Sequence, residues 1–153
     1  MIGRHTTSDL QWRRVKDLKI DRITKKYYVR ILDSKDIDAV YELCSKNRLY
    51  YQYCPPFITR DGVIEDMEAL PPGKKKCDKY FLGYFENDLL IAVLDLIVGY
   101  PDISTYYIGL FMMYTKIQGK GEGTKIITEL CAYFQSFPQV SILCIISSKK
   151  LKG

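Results

Sequence analysis

The sequence predicts an α/β (α+β) domain whose sheet contains antiparallel hairpins and is flanked by helices. Three observations predict this class. Aromatic and β-branched runs of strand length alternate with segments whose apolar residues recur at helical spacing. Residues typical of tight turns separate neighbouring apolar runs, as in hairpins. Towards the C-terminal end, a nearly unbroken apolar run follows a helix, which is typical of a strand covered on both faces.

The first half of the chain predicts a strand followed by two helices. The elements are a short helix over 9–20, a strand over 27–32, a helix that begins at Asp33 or Ser34, an aromatic loop over 50–57 and a helix over 59–70. Apolar residues at i, i+3, i+4 and i+7 from Ile37 support the first of the two helices after the strand. Proline pairs end both the aromatic loop and the second helix, because proline lacks an amide donor.

The second half predicts three strands, a helix and a last strand. The elements are strands over 79–86, 89–100 and 105–113, a helix that ends before Pro138 and a strand over 140–147. The turn at 86–88 joins the first two strands into an antiparallel hairpin. The helix keeps one apolar face along its length, from Ile126 to Phe137.

Composition and length favour one globular domain. The chain has 153 residues, of which 47% are hydrophobic and 27% are charged. Its longest apolar run, 89–100, is interrupted by Asp95 and is far shorter than the roughly 20 residues that span a bilayer. The N-terminus lacks the apolar core of a signal peptide, so a cytoplasmic protein without membrane partners is expected.

The positive charge is concentrated at the N-terminus. Residues 1–30 hold nine Lys and Arg against three Asp. We therefore divide the chain into a basic N-terminal extension, 1–26, and a domain over 27–153. The extension is expected to be solvated rather than a nucleic-acid contact, because Asp17 and Asp21 interrupt its basic residues and no nucleic-acid motif accompanies them.

Cysteine and histidine usage excludes several kinds of site. The five cysteines have wide, irregular spacings and form no CxxC pair, which favours reduced thiols over a zinc site or a disulfide framework. His5 is the single histidine. Catalytic triads and metal sites built on histidine therefore have no residue to use unless His5 docks elsewhere, and no metal is predicted.

A stretch with three closely spaced glycines precedes the last helix. Gly119, Gly121 and Gly123 stand where a strand is followed by a helix N-terminus, an arrangement whose exposed amides suit a phosphate group. The spacing matches neither a P-loop nor the dinucleotide fingerprint GxGxxG. The alternative is that these glycines serve tight packing of the helix on the sheet, and composition leaves both interpretations open.

This stretch carries a resemblance to a known family. Gln118-x-x-Gly121-x-Gly123 matches the Q/R-x-x-G-x-G/A signature of the GNAT N-acetyltransferases, and the preceding run YIGLFMMYTKI resembles that family's fourth strand and its connection. The order of elements from residue 27 onward is also the GNAT order. Over residues 27–148 the chain thus resembles a bacterial-type GNAT protein.

The resemblance implies a GNAT-like mixed, mostly antiparallel central sheet flanked by helices, with a splay between the fourth and fifth strands. The family continues past the fifth strand with a further helix and two strands, which are missing from this sequence. The domain over 27–153 is therefore expected to be truncated at its C-terminal end, with apolar surface exposed on the fifth strand. Either a truncated form or pairing with a second copy, as a homodimer, would account for this.

The resemblance also implies acetyl-CoA as cosubstrate, bound without a metal. The backbone of the signature loop would hold the pyrophosphate, with Lys120 adding charge. The backbone of the fourth strand would pair with the pantetheine arm. The cofactor-binding residues implied are Phe111, Met112, Met113, Gln118, Gly119, Lys120, Gly121, Glu122, Gly123 and Thr124.

The implied reaction is direct transfer of acetyl from acetyl-CoA to a primary amine of a small molecule or peptide, by an acyl-CoA N-acyltransferase. The backbone amide of Met113 would polarise the thioester carbonyl. Many family members have a Glu as base where this chain has Tyr107, whose phenol has an ordinary pKa of about 10. Asp95, within an apolar strand, is the second candidate base, the alternative being an Asp that faces solvent on an edge.

The acceptor would enter beside the aromatic loop. The resemblance places the mouth of the acceptor site at the segment RLYYQYCPPF, whose aromatic rings could hold an amine or could simply pack. The acidic residues Glu65, Asp66 and Glu68 are expected to form a solvated helix face. The alternative function is a catalytically weak or inactive GNAT-fold module that binds acetyl-CoA or another partner.

Overall fold

A computed structural model describes residues 18–137 and the backbone of 141–145. The helices are α1 (Ile37–Ser45), α2 (Arg48–Tyr53), α3 (Arg60–Glu68) and α4 (Glu122–Gln135), and the strands are β1 (Tyr28–Ile31), β2 (Lys79–Glu86), β3 (Leu89–Val98), β4 (Thr105–Met113) and β5 (Ser141–Ile145). Most of the helix predicted over 9–20 lies outside the described residues, as does the end of the chain after Ile145. Within the described part, no helix has the length and apolarity required to cross a bilayer.

The strands form one sheet in the order β1-β2-β3-β4-β5. The first four strands are antiparallel, and β5 lies parallel to β4. This confirms the predicted mixed, mostly antiparallel sheet. The hairpin between β2 and β3 turns at Asn87 and Asp88, which both adopt positive φ angles, as expected of the tight turn that the sequence predicts there.

Two features distinguish the second half of β4. Its described pairing with β5 runs from Thr105 to Ile108, and from Gly109 onward β4 has no described partner on that side. The register with β3 also shifts here: Asp95 lies opposite Leu110 and Leu96 lies opposite Ile108, so Gly109 is an extra residue in β4. A bulge of this kind bends a strand and is common beside functional sites. The second half of β4 therefore combines a bent strand with an edge that has no partner among the described residues, which we call the open edge.

The two faces of the sheet bury separate apolar clusters. Residues of α4 pack on one face, where Ile126, Leu130 and Phe134 are buried. Helices α1, α2 and α3 cover the other face. The described part of the predicted N-terminal extension contributes to the α4 side, since Ile23 is buried in that cluster. Residues on the two faces of β4 therefore contact different helices.

The sequence predicts an aromatic loop over 50–57, whereas Arg48–Tyr53 form helix α2. This part of the prediction is wrong. The helix has six residues, which is too short to show a periodic pattern. Burial of Tyr51 against Tyr50 and Phe57, at ring-centroid distances of 4.7 and 5.2 Å, stabilises it instead. Three helices, rather than two, therefore lie between β1 and β2.

Candidate active site

The loop between β4 and α4 presents a row of backbone amides. The six amides from Gly119 to Thr124 donate no hydrogen bond within the described residues, whereas the amide of Gln118 donates to the carbonyl of Thr115. The first amide of α4 with a backbone partner is that of Lys125, which donates to the carbonyl of Gly121 at 3.1 Å. Gly119, Lys120, Gly121 and Thr124 are exposed. The loop thus offers unpaired donors at the positive end of a 14-residue helix.

The three glycines of this loop serve different purposes. Gly119 and Gly121 have φ angles of +78° and +79°, and no atom lies within 4 Å of the position that a Cβ would take. These two positions need glycine for the backbone conformation, and the space above them is open. At Gly123 a Cβ would lie 2.8 Å from Sδ of Met113. Both interpretations of the glycines therefore apply. Gly119 and Gly121 keep the loop open, whereas Gly123 allows the helix to pack tightly on the sheet.

The Gln118 side chain ties the loop to β4 and α1. Its Nε2 donates to the carbonyl of Met113 at 2.9 Å and to Oδ1 of Asn47 at 2.7 Å. Asn47, which follows α1, donates from Nδ2 to the same carbonyl at 3.1 Å and to the carbonyl of Leu43 at 3.0 Å. No sequence pattern selects Asn47, because Gln118 and Met113 are distant from it in the chain. Together these bonds fix the start of the loop against the end of β4.

The first residue of α4 carries a carboxylate that is held by three neighbouring side chains. Glu122 accepts hydrogen bonds from the hydroxyl of Tyr27 at 2.6 Å and from Nζ of Lys26 at 3.1 Å, and Nζ of Lys125 lies 3.5 Å away. The hydrogen bond from Tyr27, followed by that from Lys26, lowers the pKa of Glu122 to about 2. The negative charge beside the open amides is thereby compensated. Lys120 is exposed and makes no described side-chain hydrogen bond.

The backbone of β4 alternates between β3 and the open edge. The amide of Tyr114 donates to the carbonyl of Ile91, so in this antiparallel register Met112 also directs its backbone groups at β3, opposite Val93. Phe111 and Met113 direct theirs to the opposite side, where β4 has no described partner. Of the three strand residues that the resemblance assigns to the cosubstrate arm, two therefore have backbone groups on the open edge.

Two cavities lie side by side along β4 and share Tyr50. The loop cavity, of about 360 Å³, adjoins the glycine-rich loop. It is lined by residues that include Lys46, Asn47, Arg48, Phe111, Met113 and Gln118. The central cavity, of about 570 Å³, lies nearer the N-terminal end of β4, over Gly109 and Leu110. It is lined from the helical side by residues that include Tyr51, Cys54, Phe57, Glu65 and Asp66.

Asp95 lies in the wall of the central cavity. Its side chain is 13% exposed, and its Oδ2 accepts a hydrogen bond from Nζ of Lys79 at 3.1 Å. Oδ1 is buried and has no partner within the described structure. Burial raises the pKa of Asp95 to about 6, although the charge and hydrogen bond of Lys79 oppose this shift. Asp95 therefore does not face solvent on an edge, and one of its two carboxylate oxygens has no described partner.

Lys79 holds Asp95 against the end of α3. Its ammonium group, on a side chain that is 6% exposed, also donates to the carbonyls of Asp66 and Ala69 at 2.7 and 2.6 Å. Those carbonyls belong to the last turn of α3 and its cap, which offer acceptors with no partner in the helix. A lysine at this position in β2 carries no sequence signal, because its three acceptors come from other elements. It fixes the carboxylate in one orientation.

Tyr107 and Gly109 complete the surroundings of Asp95. A Cβ at Gly109 would lie 3.3 Å from Oδ2 of Asp95 and 3.4 Å from Cε1 of Tyr107, so the bulge in β4 places these three residues together. Met113 is four residues further along β4, or about 13 Å at the usual strand rise. The structure therefore brings together two of the three candidate catalytic residues, Tyr107 and Asp95, and separates them from Met113.

Some of the residues expected near the mouth of the acceptor site line the central cavity, and others face only solvent. Glu65, Asp66 and Glu68 are all exposed, as expected of a solvated helix face, and the first two also line the central cavity. Partial desolvation raises the pKa of Asp66, and the charge of Lys79 opposes this shift. Tyr53 is 72% exposed and does not line the cavity. Among the described residues, no group of three His, Cys, Asp or Glu side chains is placed to hold a metal ion.

Comparison with known proteins places this geometry in a fold class. No protein family and no curated protein matches the sequence. Solved structures do match. An acetyltransferase from Thermus thermophilus has a TM-score of 0.63 and 17% identity, over 78% of this chain and 74% of that chain. A GNAT family acetyltransferase from Staphylococcus aureus has a TM-score of 0.54 and 14% identity, over 81% and 88%.

A transcriptional regulator from Bacillus halodurans also matches, with a TM-score of 0.55 and 8% identity over 81% of this chain and 83% of that chain. The chain therefore has the fold of the GNAT acetyltransferases, which confirms the resemblance at the level of fold. Because one fold supports several functions, the activity has to be argued from the site.

Proposed function

We propose that this chain is an N-acetyltransferase that transfers acetyl from acetyl-CoA directly to a primary amine. The observation that carries the proposal is the row of six backbone amides, Gly119 to Thr124, without hydrogen-bond partners in the described structure. These donors lie at a helix N-terminus, adjacent to a strand with an open edge. A ligand with a diphosphate and a long polar arm matches both features.

The loop would hold the pyrophosphate of acetyl-CoA. Positive φ angles at Gly119 and Gly121 turn the backbone, and the absence of atoms above them leaves room for a bulky anion. Lys120, which is exposed, adds a positive charge. Engagement of Glu122 by Tyr27 and Lys26 reduces the repulsion that its carboxylate would otherwise exert on phosphate.

The open edge of β4 would hold the pantetheine arm. The backbone groups of Phe111 and the amide of Met113 face this edge and can pair with the arm as a neighbouring strand would, whereas the carbonyl of Met113 already accepts from Gln118 and Asn47. Met113 lies beside the loop, because its carbonyl accepts from Gln118. We therefore assign its amide to the arm near the phosphates, and assign the reacting end of the cosubstrate to the bulge at Gly109.

Asp95 would act as the base. Acetyl-CoA supplies an acetyl thioester; the amine nitrogen bonds to the acetyl carbon, and the carbon–sulfur bond breaks with its electrons on sulfur. The proton lost by the amine passes to the carboxylate of Asp95, directly or through one water molecule. The leaving thiolate needs no obligatory acid, because the pKa of a thiol is about 8.5. Tyr107, adjacent to Asp95, is the second candidate for proton transfer.

A second candidate function is a binding module that holds acetyl-CoA without turnover. The ion pair between Lys79 and Asp95 favours it, because the pair occupies one carboxylate oxygen and stabilises the charged form of the proposed base. Release of CoA thiol in the presence of an amine distinguishes the two functions. An enzyme releases thiol with an amine present, whereas the module responds to CoA species without releasing any.

Binding itself is tested by thermal unfolding with acetyl-CoA, CoA and ATP. At a ligand concentration about 100-fold above the dissociation constant, a specific site raises the free energy of unfolding by about 2.7 kcal/mol. We expect both CoA species to do so. If ATP stabilises as strongly as CoA, or if neither CoA species stabilises, the proposal is wrong.

A charge variant within the loop tests the placement of the phosphates. Thr124→Glu adds a carboxylate at the third residue of α4, beside the unpaired amides, where it should weaken binding of acetyl-CoA at least tenfold. An acidic residue in the first turn is favourable for a helix, so folding should be retained. Thr128→Glu, one turn further along the same exposed face, is the matched control. Equal affinities of the two variants would place the phosphates elsewhere.

A further inference from the structure

A third cavity adjoins the central cavity at the proposed base. The outer cavity, of about 310 Å³, shares Ala69, Asp95 and Tyr107 with the central cavity. The two cavities therefore adjoin each other at the same carboxylate and ring. An acceptor whose nitrogen reacts beside Asp95 can extend into both.

We propose that the acceptor is an amine on a branched carbon, with an apolar arm in the outer cavity and an uncharged or cationic arm in the central cavity. This inference rests on the proposed function and names its substrate class. An unbranched amine has a single substituent and fills one of the two cavities. A branched carbon bears two substituents, which can diverge into the two cavities.

The outer cavity determines the chemistry of the first arm. Apart from Asp95 its walls are apolar or aromatic, and they consist of Ala69, Leu70, Pro71, Pro72, Ile97, Tyr100 and Tyr107. The ring of Tyr100 packs edge-on against that of Tyr107 at 5.2 Å. Such walls bury an aliphatic or aromatic group and offer little to a charged one.

The central cavity determines the chemistry of the second arm. Three carboxylates line it, those of Glu65, Asp66 and Asp95, and none of its described lining residues is a Lys or Arg. A carboxylate on the substrate would meet like charge from Glu65 and Asp66, and the nearby ammonium of Lys79 is already bonded to Asp95 and two carbonyls. A carboxamide, as in an amino-acid amide or a peptide, carries no charge, and the hydroxyl of Thr59 and the backbone can bond it. A free amino acid is therefore disfavoured.

The nitrogen of such a substrate suits the proposed base. An amine next to a carbonyl-bearing carbon has a pKa of about 7.7 to 8.0, whereas that of an alkyl amine is about 10.4. At neutral pH the first has a far larger neutral fraction. Less assistance from the base is therefore required.

Four matched compounds test the inference by calorimetric titration, with and without CoA. Leucinamide has both arms. Glycinamide lacks the apolar arm, 3-methylbutylamine lacks the carboxamide, and leucine replaces the carboxamide by a carboxylate. We expect leucinamide to bind at least about tenfold more tightly than each of the others, because even one methylene in an apolar pocket changes affinity by about that factor. Equal affinities, or no binding of leucinamide, would overturn the inference.

A variant in the outer cavity locates the apolar arm. Leu70→Asp should weaken the binding of leucinamide at least tenfold and change the affinity for glycinamide by no more than about twofold. Leu70→Ala should weaken the binding of leucinamide to a smaller extent. Leu89→Asp, which alters an exposed leucine outside the three cavities, is the control and should change neither affinity. A loss of leucinamide affinity in Leu89→Asp, or none in either Leu70 variant, would place the arm elsewhere.

Thiol release with the same compounds separates this inference from the proposed function. Preferred binding of leucinamide without thiol release would support the branched acceptor and contradict the enzyme. Thiol release at equal efficiency with leucinamide and glycinamide, whose amines have similar pKa values, would support the enzyme and overturn the branched acceptor.

Discussion

Asp95 is a carboxylate that burial and an ion pair act on in opposite directions. Burial raises its pKa to about 6, while Lys79 stabilises the charged form. The charged or titratable neighbours that face it are Lys79 from β2, Asp66 from α3 and Tyr107 from β4. As a base it works in its deprotonated form, so its protonation below pH 6 should inhibit transfer.

The pH dependence of kcat/KM with leucinamide tests this role. Protonation of the substrate amine alone gives a slope of one in log(kcat/KM) below about pH 8. Protonation of Asp95 should add a second unit of slope below about pH 6. In Asp95→Asn the residual activity should keep a slope of one throughout. In Asp66→Asn, the matched control, the second unit should persist; its loss there would assign the base to Asp66.

At the residue scale, sequence analysis identifies Asp95 but not its partner. A charged residue within the apolar run of 89–100 is visible in the sequence. Lys79 is an ordinary strand residue until the register of β2 against β3 is known, and Asn47 is an ordinary residue after a helix. Their importance arises from carbonyls that other elements present, which no local pattern encodes. Residues that bond across elements therefore escape prediction.

At the element scale, the approach of α4 to β4 depends on a glycine. A Cβ at Gly123 would lie 2.8 Å from Sδ of Met113. The same substitution at Gly62, in the first turn of α3, would meet Ile58 and Thr59 at 3.2 and 3.3 Å. Both glycines lie near a helix N-terminus, so alanine changes helix propensity similarly at the two positions. The difference between the two substitutions isolates the contact with Met113.

Gly123→Ala should lower the free energy of unfolding by about 1 to 3 kcal/mol relative to Gly62→Ala, because the added methyl group overpacks the contact. The measurement is urea unfolding of both variants. In a Met113→Ala background the space is vacated, so the cost of Gly123→Ala should largely disappear. If the cost is unchanged in that background, Met113 is not its cause.

Prediction of elements succeeds where the sequence carries a strong local signal and fails where an element is too short to show a hydrophobic period. The strand over 105–113 and the hairpin turn lie at their predicted positions, since each has a strong local signal. Helix α2 escapes prediction because six residues carry no period, and burial of Tyr51 decides its conformation. The acidic residues of α3 are exposed, as predicted, but the sequence does not show that two of them also adjoin a cavity.

At the scale of the whole molecule, the sheet separates the two halves of the proposed site. The amide row leads into α4, which packs on one face, whereas the central cavity lies under α2 and α3 on the other face, and the outer cavity adjoins the segment 69–72 that follows α3. The bulged second half of β4 contributes to both. The acetyl group is therefore expected to pass from cosubstrate to acceptor beside β4. The two ligands can be distinguished by the backbone amides that each protects from hydrogen exchange.

Hydrogen exchange can show this division. Amides without hydrogen bonds exchange rapidly, so Gly119 to Thr124 should exchange fast in the free protein. Acetyl-CoA at about 100 times its dissociation constant should slow them, together with Phe111 and Met113, by up to about 100-fold, because exchange is then confined to unbound molecules. The amides of Met112 and of the hairpin turn should be unaffected, since the first already pairs with β3 and the second is remote from the site. If the amide of Met112 were protected and that of Phe111 were not, Met112 rather than Phe111 would face the open edge. The basis for placing the pantetheine arm on this edge would then be lost.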